Sequence, residues 1–415
     1  MMAKPHVLVV PYPVQGHVIP LMELSLSLVK QGIKVTFVNT QHNHDSIMSA
    51  FPSTFDDHLI SQICLVCISD GIESNEDRNK PGKSSEAVLK FMPQKVEELI
   101  VSINNGSESD RITCVLADQS IGWVLDIAEK NGISRAAFCP AAAAMLVLGF
   151  SIPNLLDNGI IDKDGTPLEK KVLQLSPTMP STSTENLVWV CLGNKTTQKH
   201  IFQLMVKNIK CMQKTEWLLC NSAYELEPDA FSLAPQIIPI GPLLSKNHLG
   251  YSLGNQLLAS RCDLFEVPDI KEGTKHAYPE GFEERVCDRG RMVGWTPQQK
   301  ILSHFSIACF ISHCGWNSTM ESVSNGIPIL CWPYFADQFL NKSYICDVWK
   351  IGVGLEHDGN GIITQGEIRS KVEQLLNDKN WKANAASLKE KIQNSIGEGG
   401  LSNKNVDNFI RWIKS

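Results

Sequence analysis

The stretch WTPQQKILSHFSIACFISHCGWNSTMESVSNGIPILCWPYFADQ, residues 295–338, decides how the rest of the chain is read. Its run IACFIS has the length and apolar content of a buried β-strand. His313, Cys314 and Gly315 follow as a sharp turn, with Gly315 allowing close backbone approach. Trp316, Asn317 and Ser318 then open a helix that carries Glu321 in its first turns. Unpaired backbone N–H groups at such a helix start face the crevice at the strand ends and can hold a diphosphate. His313 and the side chains of Asn317 and Ser318 add hydrogen-bond donors. Trp295 offers a flat face for a base, with Gln298 as a polar contact nearby. After the strand-like IPILCWP, Asp337 and Gln338 place a carboxylate and an amide where several sugar hydroxyls can be read. Singly, each has a plainer reading: Trp295 and Trp316 as core aromatics, Ser318 as a helix cap, Asp337 as a cap for the next helix. Their order within one stretch favours the joint reading.

Outward from this stretch, the chain repeats one theme. HVLVVPYP (residues 6–13) reads as a buried parallel strand, IPLMELSLSLVKQG as a helix stopped by Gly32, and KVTFVNT (34–40) as a second strand. ITCVLAD (112–118), the helical GWVLDIAEKNG and SRAAFCP continue it, and RMVGWTP, IACFIS and IPILCWP repeat it beyond residue 244. Strands alternating with helices imply an α/β chain with parallel sheets, and two such halves imply a ligand at the carboxyl ends of the strands. NKNVDNFIRWIK (403–414) predicts a closing amphipathic helix, and SPTMPSTSTE (176–185) a surface loop.

Length and composition narrow the function. At 415 residues the chain is long enough for two domains, and 43% hydrophobic content supports a large core. Lys plus Arg number 38 against 44 Asp plus Glu, a net charge of −6, which excludes broad binding to a nucleic-acid backbone but leaves room for one local phosphate pocket. Thirteen scattered cysteines argue for reduced thiols and a cytoplasmic setting. The CxxC pair Cys64–Cys67, in ICLVCI, lacks a second pair and reads as a buried strand; His42, His44 and Asp45 read as a solvated loop. The proline-broken N-terminus does not resemble a signal peptide, and no apolar run approaches the roughly 20 residues of a membrane span. No G-x-G-x-x-G follows the first strand, which counts against a dinucleotide-dependent oxidoreductase, and Gly82-Lys83-Ser84 lacks the first glycine of a phosphate loop.

With its opening Trp, its HCGWNS and its closing DQ, the 295–338 stretch resembles the signature box of plant UDP-dependent glycosyltransferases acting on small molecules. GHVIPLMEL, VLADQSIGW, NSAYELEP, IGPLL, YPEGFEERV and the closing helix extend the resemblance over most of the chain. It implies a GT-B architecture: a Rossmann-like acceptor domain over residues 1–240, a Rossmann-like UDP-sugar domain over 241–402, and a helix at 403–415 packed back on the first. It further implies that Trp295 stacks on uracil, that Gln298 and Glu321 hold ribose hydroxyls, and that His313, Asn317 and Ser318 meet the diphosphate beside Gly315, with Trp316 shaping the turn. Asp337 and Gln338 are then expected to bind the sugar, the final Gln pointing to UDP-glucose as donor substrate. No metal and no further cofactor is expected; the partners are a UDP-sugar and a hydroxylated small molecule such as a flavonoid, taken by a monomer without nucleic acid or membrane insertion.

The candidate catalytic pair lies at the other end of the chain. His17 follows the first strand in PVQGH, at a helix start whose partial positive charge disfavours the imidazolium. A neutral imidazole is what a general base requires. Asp118 ends the strand ITCVLAD and can orient that ring, the logic of a His–Asp pair without the serine. The matching family positions carry the same roles, which implies inverting transfer to an acceptor hydroxyl.

One interval departs from the family. Between IGPLL and YPEGF, residues 245–277 contain no Phe-Gly-Ser strand end, so a βα unit of about 30 residues is expected to be absent or replaced. That unit is normally the first of the donor domain, and its loss predicts a less stable domain. The alternative to an active glucosyltransferase is therefore a non-catalytic or poorly active remnant. Cys139, near a position where relatives carry Ser or Thr, predicts one lost hydrogen bond to the sugar.

Overall fold

The computed structural model describes residues 4–41, 62–72, 82–244, 281–290 and 298–415. In chain order these form β1 (His6–Val10), α1 (Gln15–Lys30), β2 (Lys34–Thr40), β3 (Ile63–Ile68), α2 (Lys83–Asn104), β4 (Cys114–Asp118), α3 (Trp123–Lys130), β5 (Ser134–Cys139), α4 (Ala143–Phe150) and α5 (Ile152–Asp157). A small hairpin, β6 (Val172–Leu173) with β7 (Thr182–Ser183), precedes α6 (Lys195–Met212), β8 (Trp217–Cys220), α7 (Pro228–Leu233) and β9 (Ile237–Pro239). Then come α8 (Phe282–Val286), α9 (Gln298–Leu302), β10 (Phe310–Ser312), α10 (Trp316–Asn325), β11 (Ile329–Cys331), α11 (Gln338–Ser343), a π-helical turn (Tyr344–Val348), β12 (Gly352–Gly354), α12 (Gln365–Asn377), α13 (Lys379–Ile396) and α14 (Leu401–Lys414).

The larger sheet has the order β3-β2-β1-β4-β5-β8-β9, all parallel, with β1 paired to β4 from Val7↔Cys114 to Val10↔Ala117. Every residue of β1 and of β4 is buried, as expected of central parallel strands covered on both faces. Strand order reverses between β1 and β4, and such a switch point opens a crevice at the carboxyl ends of both strands. His17 and Asp118 are placed at that crevice by topology alone. The second sheet runs β10-β11-β12, also parallel, so the turns after β10 and β11 emerge side by side.

Apolar packing joins the two sheets. One buried cluster extends from Val115 and Cys139 of the first sheet through Leu226 to Trp316, Met320 and Tyr344 of the second. The indole N–H of Trp316 donates to the Asn221 carbonyl at 2.8 Å, and that of Trp349 to the Leu226 carbonyl at 2.9 Å. Trp349 also stacks on Tyr344 with ring centroids 4.9 Å apart. Helix α14 buries Phe409, Ile410 and Ile413 against Val7, Val9 and Leu116 of the first sheet.

Two expectations need correction. ICLVCI is a strand, but it is the outer strand β3: only Ile63 and Ile68 at its ends are buried, and Cys64 is exposed, because an outermost strand has a neighbour on one side only. The 176–185 segment is not a plain surface loop: Thr182–Ser183 pairs with β6, and Met179 and Thr184 are buried. Cys139 is fully buried, with its thiol 3.5 Å from the Ala141 carbonyl. The expectations at 42–45, 245–277 and RMVGWTP, and the one for Trp295, lie outside the described residues. No helix among the described residues is long and apolar enough to cross a membrane.

Candidate functional site

His17 stands in the first turn of α1 and Asp118 closes β4. Their side chains meet at 2.7 Å, His17 Nδ1 to Asp118 Oδ2, with Asp118 fully buried and the His17 side chain 26% exposed. The second Asp118 oxygen accepts from the Ser120 N–H at 2.8 Å, so the carboxylate is held from both sides. With Nδ1 engaged, Nε2 is the ring nitrogen left to face a substrate. Tyr12 packs on the imidazole with centroids 5.3 Å apart and ties back to Ser85 through its hydroxyl at 2.9 Å.

The electrostatics of His17 differ from the helix-start argument. Burial pulls its pKa down, but the Asp118 charge, the Asp118 hydrogen bond and the Asp337 charge together outweigh burial and leave it above its ordinary value of 6.5. Two carboxylates therefore outweigh the burial of the ring. The mutual influence of His17 and Asp337 also brings a second carboxyl group to the pair, with Asp337 close enough to act on the ring.

Across the crevice, α10 begins at Gly315 with no side-chain cap, so its first N–H groups stay available for an anion. Cys314, immediately before, has a left-handed backbone at φ 67°, an unfavourable conformation for a residue with a Cβ. The predicted donor-site residues around this turn mostly hold one another. Gln298 Nε2 donates to Ser318 Oγ at 3.0 Å and also to Glu321. Burial raises the Glu321 pKa to about 7, against the opposing pull of the Gln298 hydrogen bond. Asn317 Nδ2 donates to the Gly16 carbonyl at 3.0 Å, next to the dyad. Burial lowers the His313 pKa, which favours the neutral ring.

The turn after β11 is built from inside. Gln338 is buried, and its Oε1 accepts from the Tyr334 and Phe335 N–H groups at 2.9 and 3.2 Å, leaving Nε2 for a ligand. Ala336, before Asp337, is left-handed at φ 57°. Burial raises the Asp337 pKa above its ordinary value, and the Asn341 amide and the His17 charge draw it partway back.

The structure thus brings His17, Asp118, Asp337, Asn317 and the α10 start to one crevice, with Gln298, Ser318 and Glu321 as a connected group beside it. Trp316 has a further role, since its indole ties the second sheet to the first. Sequence reasoning missed Trp349, its companion, and Asn341. The signal for Asn341 was its spacing, four residues after Asp337, which places it on the same side of a helix.

Residues 278–394 match the family profile "UDP-glucoronosyl and UDP-glucosyl transferase". The chain is 48% identical to UDP-glycosyltransferase 83A1 of Arabidopsis thaliana over 453 aligned positions, covering 100% of this chain and 98% of the relative. Those 453 positions against 415 residues leave at least 38 positions of the relative without a counterpart here. Mogroside I-E synthase of Siraitia grosvenorii is 26% identical, over 99% of this chain and 98% of its own. Among solved structures, a UDP-glucosyltransferase of Polygonum tinctorium capable of glucosylating indoxyl superposes with a TM-score of 0.79 at 20% identity, covering 100% of both chains. Os79 of O. sativa in complex with UDP superposes with a TM-score of 0.74 at 21% identity, covering 98% of this chain and 100% of its own. The chain therefore belongs to the plant family 1 UDP-dependent glycosyltransferases, enzymes of GT-B fold that move a sugar from a UDP-sugar to a small-molecule acceptor.

Proposed function

We propose that the protein transfers glucose from UDP-glucose to a hydroxyl of a small-molecule acceptor, with inversion at the anomeric carbon. His17 Nε2 takes the acceptor proton, and the oxygen attacks C1 from the face opposite UDP. The C1–O bond to UDP breaks as the new bond forms, and UDP leaves with the negative charge. The N–H groups at the α10 start, with His313, Asn317 and Ser318, stabilise that charge. Asp118 fixes the tautomer and stabilises the imidazolium. Asp337 and Gln338 Nε2 hold the glucose, Gln298 and Glu321 the ribose, and Trp295 the uracil. A single displacement of this kind converts an α-linked donor into a β-glucoside. The acceptor domain corresponds to residues 1–240 with the helix at 403–415, and the donor domain to 241–402.

The observation that carries this reading is the 2.7 Å His17–Asp118 bond at a crevice whose opposite wall supplies Asp337 and an uncapped helix start. An assembled dyad also favours turnover over the remnant reading. The indoxyl-glucosylating neighbour supports glucose as the sugar. The test is incubation with UDP-glucose, UDP-galactose or UDP-glucuronate and a panel of phenols that includes flavonoids. A β-glucoside, identified by its anomeric proton coupling and formed fastest from UDP-glucose, is expected. An α-linked product would remove the single displacement, and equal use of the three donors would remove the glucose assignment.

A further inference from the structure

Asn341 is fully buried in α11, and both hydrogens of its side-chain amide are used. Nδ2 donates to the Cys314 carbonyl at 2.9 Å and to Asp337 Oδ2 at 2.9 Å. Both partners are acceptors, so the amide has one orientation; flipped, its oxygen would face a carbonyl and a carboxylate. In that orientation Asn341 Oδ1 is buried without a partner among the described residues. An orphaned buried oxygen is unfavourable and needs a reason.

The two groups that Asn341 joins are the two ends of the donor site. A peptide unit is planar, with C=O and N–H pointing opposite ways. Pinning the Cys314 carbonyl therefore aims the Gly315 N–H away from Asn341, at the opening of α10. The left-handed Cys314 backbone makes this an orientation that must be held rather than one the chain adopts unaided. At the other end, Asp337 follows left-handed Ala336, whose carbonyl lies 3.5 Å from the Cys191 thiol. One amide thus spans two strained turns from neighbouring strands.

We infer that Asn341 is a positioning residue that sets the separation between the diphosphate-binding turn and the sugar-binding carboxylate, so that pyrophosphate and hexose are met together. This rests on the reading that the α10 start takes the diphosphate and Asp337 the sugar. In the folded protein, Asn341→Ala is expected to raise the KM for the UDP-sugar and to lower kcat by about tenfold to a hundredfold, the scale set by small misplacements. The acceptor KM should not change. UDP itself should bind more weakly, and the advantage of an intact UDP-sugar over UDP should shrink. Asn341→Ser, which keeps one donor, should fall between the two.

A purely structural pin would lower the melting temperature and leave these constants alone. A folded N341A with donor KM and kcat within about twofold of the parent overturns the inference, and so does failure of both variants to fold. Asp337→Asn separates the underlying reading: if it too leaves donor turnover intact, the site assignment has failed, whereas a damaged D337N beside an intact N341A condemns the linkage alone.

Discussion

The two walls of the crevice are prepared to different degrees. On the first sheet, His17 and Asp118 already make the contact that the proposed reaction uses, and Ser120 fixes the carboxylate behind them. On the second sheet, the groups proposed to meet UDP-glucose hydrogen-bond to one another or to the first wall: Gln298 to Glu321 and Ser318, Asn317 to Gly16. The catalytic wall is preorganised, while the donor wall must exchange internal hydrogen bonds for ligand ones. Substitutions on the first wall should therefore act on kcat, and those of the donor-contacting groups on the second on donor affinity, whereas a positioning residue such as Asn341 affects both.

The largest break in that comparison comes from the base. His17→Ala should lower kcat by about 10²–10⁴-fold while leaving UDP affinity within a few-fold, measured by initial rates and by calorimetry. Asp118→Asn, which keeps shape but removes the charge, should lower kcat less and move the acid limb of kcat/KM down. The sign follows from the shift: the dyad raises the His17 pKa above 6.5, and only the neutral ring is a base, so activity rises with pH through a midpoint above 6.5. Loss of UDP affinity in His17→Ala would mean that the first wall also binds donor.

The attachment of the second wall gives the next effect. Trp316 is buried and donates its indole N–H across to the Asn221 carbonyl. Trp316→Phe leaves that carbonyl unpaired and should destabilise the protein by about 1–3 kcal/mol in urea unfolding. Strand β10 has Ile311 half exposed, whereas β11 is wholly buried. Strand β10 is thus the less covered part of the second wall, and the loss should appear as an early separate transition. A single cooperative transition would show that the shared core, from Val115 to Tyr344, binds both walls into one unit.

How much of this is legible in the sequence follows the same division. Parallel strands such as HVLVV and ITCVLAD show themselves by continuous apolar runs, and a strand end followed by a helix start places His17 and Asp118 at a switch point without coordinates. HCGWNS and the closing DQ are equally plain, because they resemble the signature box of the family in residue type and order. What is hidden is whatever depends on a partner distant in sequence. Nothing near Trp316 reveals Asn221, and nothing near Asn341 reveals the Cys314 carbonyl. The His17 pKa direction is hidden for the same reason: the helix terminus is local, while Asp118 and Asp337 come from far along the chain.

Glu321 sharpens the comparison through pH. On the proposed reading its carboxyl, raised by burial to about 7, accepts ribose hydroxyls best when ionised. Protons then compete with ligand, and UDP affinity should fall by close to tenfold for each pH unit below 7 until the unfolded-like value of 4.5 is approached. The ligand-free fold has the opposite dependence. It holds a proton that the unfolded chain releases between 4.5 and about 7, so stability drops as pH rises through that window. Glu321→Gln should flatten both curves. Calorimetric UDP titrations at several pH values, paired with melting curves, measure the two; an unchanged slope in the variant would assign the pH dependence elsewhere.

The smallest expected effect belongs to the contact that joins the walls directly. Asn317 donates to the Gly16 carbonyl, one residue before the base, in a partly open position where water can replace it. Asn317→Ala should change ligand-free stability by only about 0.5 kcal/mol, the low end for a neutral hydrogen bond. If the amide moves to the diphosphate when donor arrives, the variant loses more with UDP bound than without, and the shift in melting temperature caused by UDP shrinks. If the amide instead stays on Gly16, the losses with and without UDP are equal, and the donor wall is less of a placeholder than its internal hydrogen bonds imply.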